Sequence, residues 1–292
     1  MRAIVYLVGR LEHLLALCRK GIRRFESAMR IRYRPEWLAL LAAAVILVTA
    51  SITLFFPPYL GLSNDGSFDA VLADTGLARM SDEDTSAYFN YYERTYRISP
   101  SIYAPNTTSG VLKAVVGLAV AADNVLTQDD VFDVRVLAGI YLALYLAVLY
   151  PLMKELLSRV RFHVEGMVIA VFCVLIFGDT SIITRFASFY TQPLELILLI
   201  AIMDCVFIFP RERDGWLGAL GLAASAILLM GVNPYCALAG VIFSMAYWLH
   251  FMKVDTFHRV TYILLALVLC VVSVGVRRRC RAAKARVKSI TK

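Results

Sequence analysis

Residues 37–56 read WLALLAAAVILVTASITLFF, twenty positions without a charged side chain, closed by Pro57-Pro58. A helix of that length rises about 30 Å, which is the thickness of the hydrocarbon core of a bilayer. The run is therefore a membrane span, and the next residues must lie on the far face. They include Asn64-Asp65-Gly66-Ser67-Phe68-Asp69, which opens the one long polar segment of the chain. Asp65 and Asp69 are four residues apart and share one side of any helical turn. Paired carboxylates of this kind take a proton from a substrate hydroxyl or hold a cation. The same residues also suit an Asx-turn and a helix N-cap. The motif alone leaves both readings open.

Composition gives the same class. Hydrophobic residues make up 60% of the 292 positions and charged ones 18%, and the mean hydropathy is +0.68. These values fit an integral membrane protein and are rare in a soluble domain. The net charge of +8 sits in short basic blocks between apolar runs, where it attracts anionic headgroups; no nucleic-acid partner is expected. The six cysteines lie mostly inside apolar runs without CxxC spacing, which points to small core side chains and gives no zinc site or disulfide frame.

Toward the N-terminus, residues 1–36 hold nine Arg or Lys against three Glu, with Ile4, Leu7, Leu11, Leu14, Leu15, Cys18 and Ile22 at helical spacing. That is the pattern of a basic amphipathic helix in the membrane surface, and the positive-inside rule puts it in the cytoplasm. Residues 57–133 hold eleven acids against four basic residues and read as a long external loop. Within it, 88–96 (YFNYYERTY) is dense in aromatics, suited to gripping a sugar or isoprenoid or to a belt at the headgroups. Asn106-Thr107-Thr108 matches the N-glycosylation pattern. Residues 112–126 are apolar but short, and carry Lys113 and Asp123, so they are expected to form an external helix packed on or dipping into the membrane.

Further spans are expected at 134–153, from about 164, and at 193–210, 216–232, 234–252 and 260–276. The third reaches Gly178-Asp179 after about fourteen apolar residues and must borrow part of 180–184 or end in a polar crevice. The expected fold is an all-α polytopic bundle of about six to eight transmembrane helices occupying 37–276, with one long external loop. The tail 277–292 carries eight positive charges, which on a seven-span count would be external, against the positive-inside rule. The count is one too many or too few, or the tail is atypical.

The basic start, the first span, the NDGSFD motif, YFNYYERTY at 88–96 and RFASFYTQPLEL at 185–196 together resemble the glycosyltransferase C (GT-C) superfamily of multi-spanning enzymes. The nearest similarity is to bacterial surface-glycan hexosyltransferases, with this chain as a shortened member. The resemblance implies transfer of a sugar from a polyprenyl-phosphate-linked donor to a glycan, lipid or protein acceptor on the external face. It implies Asp65 as general base and Asp69 as helper or ligand of a divalent cation; metal dependence varies in the superfamily, so no cofactor is assigned. Arg185, Arg94 and Lys113 are candidates to pair with the donor phosphate, with Glu195 beside Arg185 as a substrate-site residue or a plain salt-bridge partner. Two other readings remain. One is a transporter or flippase of lipid-linked glycans using Glu195 and Asp204 as intramembrane groups; the other is a non-catalytic truncated relative.

Overall fold

The computed structural model describes residues 34–62, 64, 68–80, 93–99, 108–160, 162–207 and 215–233, with Gly21, 235–238, 240 and 242. The amphipathic segment before 34, the aromatic run 88–92, Asn106, the seventh expected span, most of the sixth, and the basic tail lie outside the described residues.

Helix α1, Pro35–Phe55, is the first charge-free run. Its inner stripe is Ala39, Ala42, Ile46, Ala50 and Leu54, while Leu40, Leu41, Leu47, Val48 and Ile52 face outward. Small residues inside and bulky aliphatics outside is the membrane pattern, because lipid is as apolar as leucine and close backbone approach drives association. Thr49 and Thr53 satisfy their hydroxyls on the Val45 and Thr49 carbonyls, at 3.0 and 2.6 Å.

Helix α1 lies against α4, Val134–Ser158, the central helix, which also meets the helices Gly110–Thr127, His163–Phe177 and Gln192–Phe207. The two are antiparallel. Lys154 pairs with Glu36 at 2.8 Å at one end, and at the other a Cβ on Gly139 would lie 3.7 Å from the Phe55 ring.

The end near Phe55 carries a small mixed layer. Helix α2, Phe68–Thr75, precedes β1, Leu77–Arg79; β2 is Thr95–Ile98 and β3 is Val131–Asp133. The sheet is antiparallel in the order β1-β2-β3, with Leu77 opposite Ile98 and Tyr96 opposite Phe132. Leu77, Tyr96 and Phe132 are buried, so one face of the sheet is closed onto the bundle. Between β2 and β3 in sequence comes α3, Gly110–Thr127. Asp133 ends the layer by accepting the Arg135 N–H at 2.9 Å, which caps α4.

Helix α5, His163–Phe177, stops in the middle of the bundle. A Cβ at Gly178 would lie 2.6 Å from the Val174 carbonyl oxygen and 3.5 Å from Ile46, at the middle of α1, so only glycine fits this crossing. The chain then bends by 44° into α6, Thr180–Ile183, and a 3₁₀ turn, Thr184–Phe186. Asp179 caps α6 through the Ser181 N–H at 2.8 Å. Phe186 packs on Tyr145 at 5.2 Å and Phe189 reaches Tyr96 in the sheet. The broken pair thus climbs to the sheet end by borrowing 180–186.

Helix α7, Gln192–Phe207, returns from there, and α8, Gly215–Val232, packs along it. A Cβ at Gly221 would lie 2.9 Å from Cys205 Sγ, and Cys236 Sγ lies 3.7 Å from Glu195 Oε2, so α8 runs antiparallel to α7 and ends beside the sheet.

The expected count of six to eight spans is corrected. Among the described residues three helices are long and apolar enough to cross a membrane (α1, α3 and α4), or four when the bent pair counts as one. Apolar runs overstate spans because a run is not a helix. The third breaks at Gly178, the described part of α7 is 16 residues long, and the qualifying described part of α8 is Leu220–Val232. Conversely α3, expected to be short for a span, passes on length and composition. The long loop also differs from a bare connection, since its described residues are mostly helix and sheet.

Multiple apolar helices make this a multi-pass membrane protein associated with the lipid bilayer. The bundle's interior is sensitive at Tyr145, whose hydroxyl donates to the Phe177 carbonyl at 2.9 Å and so satisfies the end of α5. Tyr145→Phe is expected to cost about 1 kcal/mol, read as an earlier midpoint of detergent-induced unfolding. Tyr141→Phe should be neutral, because the Tyr141 hydroxyl has no partner among the described residues.

Candidate functional site at the sheet end

Asn64 accepts the Phe68 N–H at 3.1 Å and donates to Asp69 Oδ1 at 3.2 Å, so the motif NDGSFD opens α2 with a side-chain cap. Phe68 is buried and meets Phe189 at 5.5 Å and Tyr190 at 4.7 Å, both edge-on. The motifs at 64–69 and 185–196, far apart in the chain, are therefore joined by aromatic packing. Asp65 itself lies outside the described residues.

Asp69 does not stand free. Arg79 Nη2 on β1 donates to its Oδ1 at 2.9 Å, and Arg79 Nε lies 3.9 Å from Glu93. The Arg79 guanidinium thus balances the Asp69 charge through one carboxylate oxygen. Among the described residues no cluster of three or more His, Cys, Asp or Glu could hold a metal ion.

Arg94 and Arg135 share Asp133, at 3.2 and 2.6 Å, and both guanidiniums lie over the Tyr59 ring, 4.9 and 5.5 Å from its centre. Stacking and a shared carboxylate hold these two like charges together. Asp133 in turn gives its backbone N–H to buried Asp123 at 2.8 Å. Lys113 lies 4.0 Å from Asp74, whose other oxygen accepts the Thr108 N–H at 2.7 Å. Lys113 therefore helps pin the start of α3.

Arg185 donates from Nε to the Ser181 carbonyl at 3.1 Å and from Nη1 to Gln192. Glu195 accepts from Thr191 Oγ1 at 2.8 Å and from Cys236. No ion pair joins Arg185 to Glu195 among the described residues. Arg185 remains exposed, so its charge still faces outward at the break.

Sequence reasoning brought forward Asp69, Arg94, Lys113, Arg185 and Glu195, and the structure engages each with a named partner. It missed Arg79, Asp74, Asp133 and Tyr59. For Asp133 a signal existed, an acidic residue directly before a span at the N-cap position. Nothing in the sequence marks Arg79, which meets Asp69 only because β1 folds back beside α2.

Neither curated proteins nor solved structures yield a match. Residues 23–281 match the family model described as the YfdI N-terminal transmembrane domain. That match covers most of the chain, which therefore belongs to the YfdI N-terminal transmembrane domain family.

Proposed function

We propose that the chain is a membrane glycosyltransferase of the GT-C type that moves a sugar from a polyprenyl-phosphate-linked donor to a glycan, lipid or protein acceptor. In this reading the N-terminus is cytoplasmic and the sheet end is external. The observation that supports it is the meeting of Phe68 with Phe189 and Tyr190, which sets the acidic motif and the Arg185-bearing turn at one end of the bundle. That end lies beside the bilayer, where a polyprenyl phosphate headgroup is anchored. An arginine near the break can pair with that phosphate, and a carboxylate beside the membrane, poorly solvated, is a stronger base than in water.

The test supplies membranes containing the protein with radiolabelled hexoses linked to polyprenyl phosphate or to a nucleotide. Transfer from the lipid-linked donor alone is expected. Failure with every lipid-linked hexose, at full insertion of the protein, would reject the assignment. Orientation is checked separately with Ser86→Cys and an impermeant thiol reagent. Labelling of intact cells is expected, and labelling only after permeabilisation would reverse the orientation.

A second reading has one observation behind it. Asp204 on α7 is 8% exposed, and its Oδ1 has no hydrogen-bond partner among the described residues. A buried intramembrane carboxylate is a common proton-carrying group in carriers. Asp204 and Glu195 are about 13 Å apart by helical rise, too far to form one site. Asp204→Asn is expected to leave transfer largely intact while altering stability. Complete loss of activity at normal protein level would favour the carrier.

A further inference from the structure

Helix α3 passes the length and composition test for a span, yet its two ends are fixed at the same end of the bundle. At its start the Thr108 N–H is bound by Asp74 of α2, and a Cβ at Gly231, the end of α8, would lie 3.1 Å from Val111. Near its finish Asp123 binds the backbone of Asp133, at the entry to α4. The points at which α8 ends and α4 begins both belong to the sheet end, so α3 lies along that end and does not cross.

Its faces are arranged the wrong way round for water. The charged side chains of the helix, Lys113 and Asp123, are turned to the protein, toward Asp74 and the Asp133 N–H. Leu112, Val116 and Ala119 are buried on the same side. The exposed positions between 110 and 127 carry no charge and include Ala114, Leu118, Ala121, Val125 and Leu126. Leu118 is 60% exposed, Val125 77% and Leu126 74%. Leaving such side chains in water would cost about 25 cal/mol for each Å² of apolar surface. A bilayer removes that cost, and α3 packs on α4 and α8, at the end of a bundle whose own outward residues Leu144, Ile227 and Leu228 are apolar.

We infer that α3 is an in-plane membrane helix whose outward face, Ala114, Leu118, Ala121 and Val125, lies in the acyl-chain boundary of the bilayer. It holds the sheet, and with it the Arg94–Tyr59–Arg135 stack, at the level of the lipid headgroups. The occupant of the face is lipid. This inference does not depend on the transferase reading.

The test uses the full chain in phosphatidylcholine vesicles, with Ala114→Trp or Val125→Trp and lipids brominated near the carbonyl, midway along the acyl chain or at its end. The emission of Trp37, Trp216 and Trp248 is subtracted with the parent protein. Both added tryptophans are expected to lose most of their emission, with the same preference for shallow bromines. A spanning helix would separate the two positions by about 16 Å of depth, so preferences for different bromine depths would overturn the inference. Absence of added quenching at both positions, as for a face turned to water or to a second copy of the chain, would overturn it too. Leu118→Trp replaces either variant that fails to insert.

Discussion

Phe189→Ala is expected to cost about 3–5 kcal/mol of stability, the range for emptying a filled aromatic site. Phe189 is 2% exposed and joins three elements to the turn that carries it. Its ring meets Phe68 of α2 at 5.5 Å and Tyr96 of β2 at 5.2 Å, both edge-on, and lies 6.4 Å from Phe132 of β3. Leu77, Tyr96 and Phe132 line the sheet face that closes on the bundle, so the loss should fall on the sheet layer first. Phe186→Ala, by contrast, opens a space against Tyr141 and Tyr145 inside the bundle. Limited proteolysis in vesicles separates the two, with Phe189→Ala giving faster cleavage around 93–99 and Phe186→Ala a general loss. Phe189→Leu keeps much of the volume and should cost about 1–1.5 kcal/mol, chiefly the lost edge contacts. If the strand segment in Phe189→Ala were as resistant as in the parent protein, the layer would have to be held by something other than this ring.

The contrast between what the sequence discloses and what it hides depends on range. The first span and the helix from Val134 are legible because their signal is local, a charge-free run and an acidic cap before it. The break at Gly178-Asp179 is legible too, since a run of about fourteen apolar residues is short for a bilayer. The sheet is not. Its strands are three or four residues long, and Leu77-Ala78-Arg79 has no alternation that distinguishes it from loop. Pairing of β2 with β1 and β3 is a long-range property, and with it comes the Arg79–Asp69 contact, after which Asp69 is no longer a free carboxylate. The contacts that fix the ends of α3 are hidden for the same reason, although its place on the membrane is expected from its length and charges. Composition reports how greasy a helix is, whereas Asp74 and Asp133 decide where its ends can go.

On the transferase reading proposed above, Asp65→Asn is expected to lower sugar transfer by roughly 100-fold or more, about 2.7 kcal/mol in activation free energy. Asp65 is outside the described residues, but its neighbours constrain what it can do. Asn64 already supplies the cap to the Phe68 N–H, so the structural task that an aspartate at this site could perform has another residue assigned to it. Phe68 is buried beneath Phe189 and Tyr190, which anchors the start of α2 to the bundle. Asp69, the other carboxylate of the motif, is held by Arg79 and is 62% exposed at its side chain. Its charge is neutralised in place, which leaves Asp65 as the carboxylate of the pair available to accept a proton. Asp69→Asn should therefore be mild, because an exposed ion pair contributes little to stability. Asparagine at 65 preserves shape and turn-forming capacity while removing the basic lone pair, so insertion and folding should survive. Transfer from a polyprenyl-phosphate-linked hexose, measured in membranes holding equal amounts of each protein, compares the variants. Near-normal transfer by Asp65→Asn would end the general-base assignment. A loss at Asp69→Asn as deep as at Asp65→Asn would move the chemistry to the Asp69–Arg79 pair.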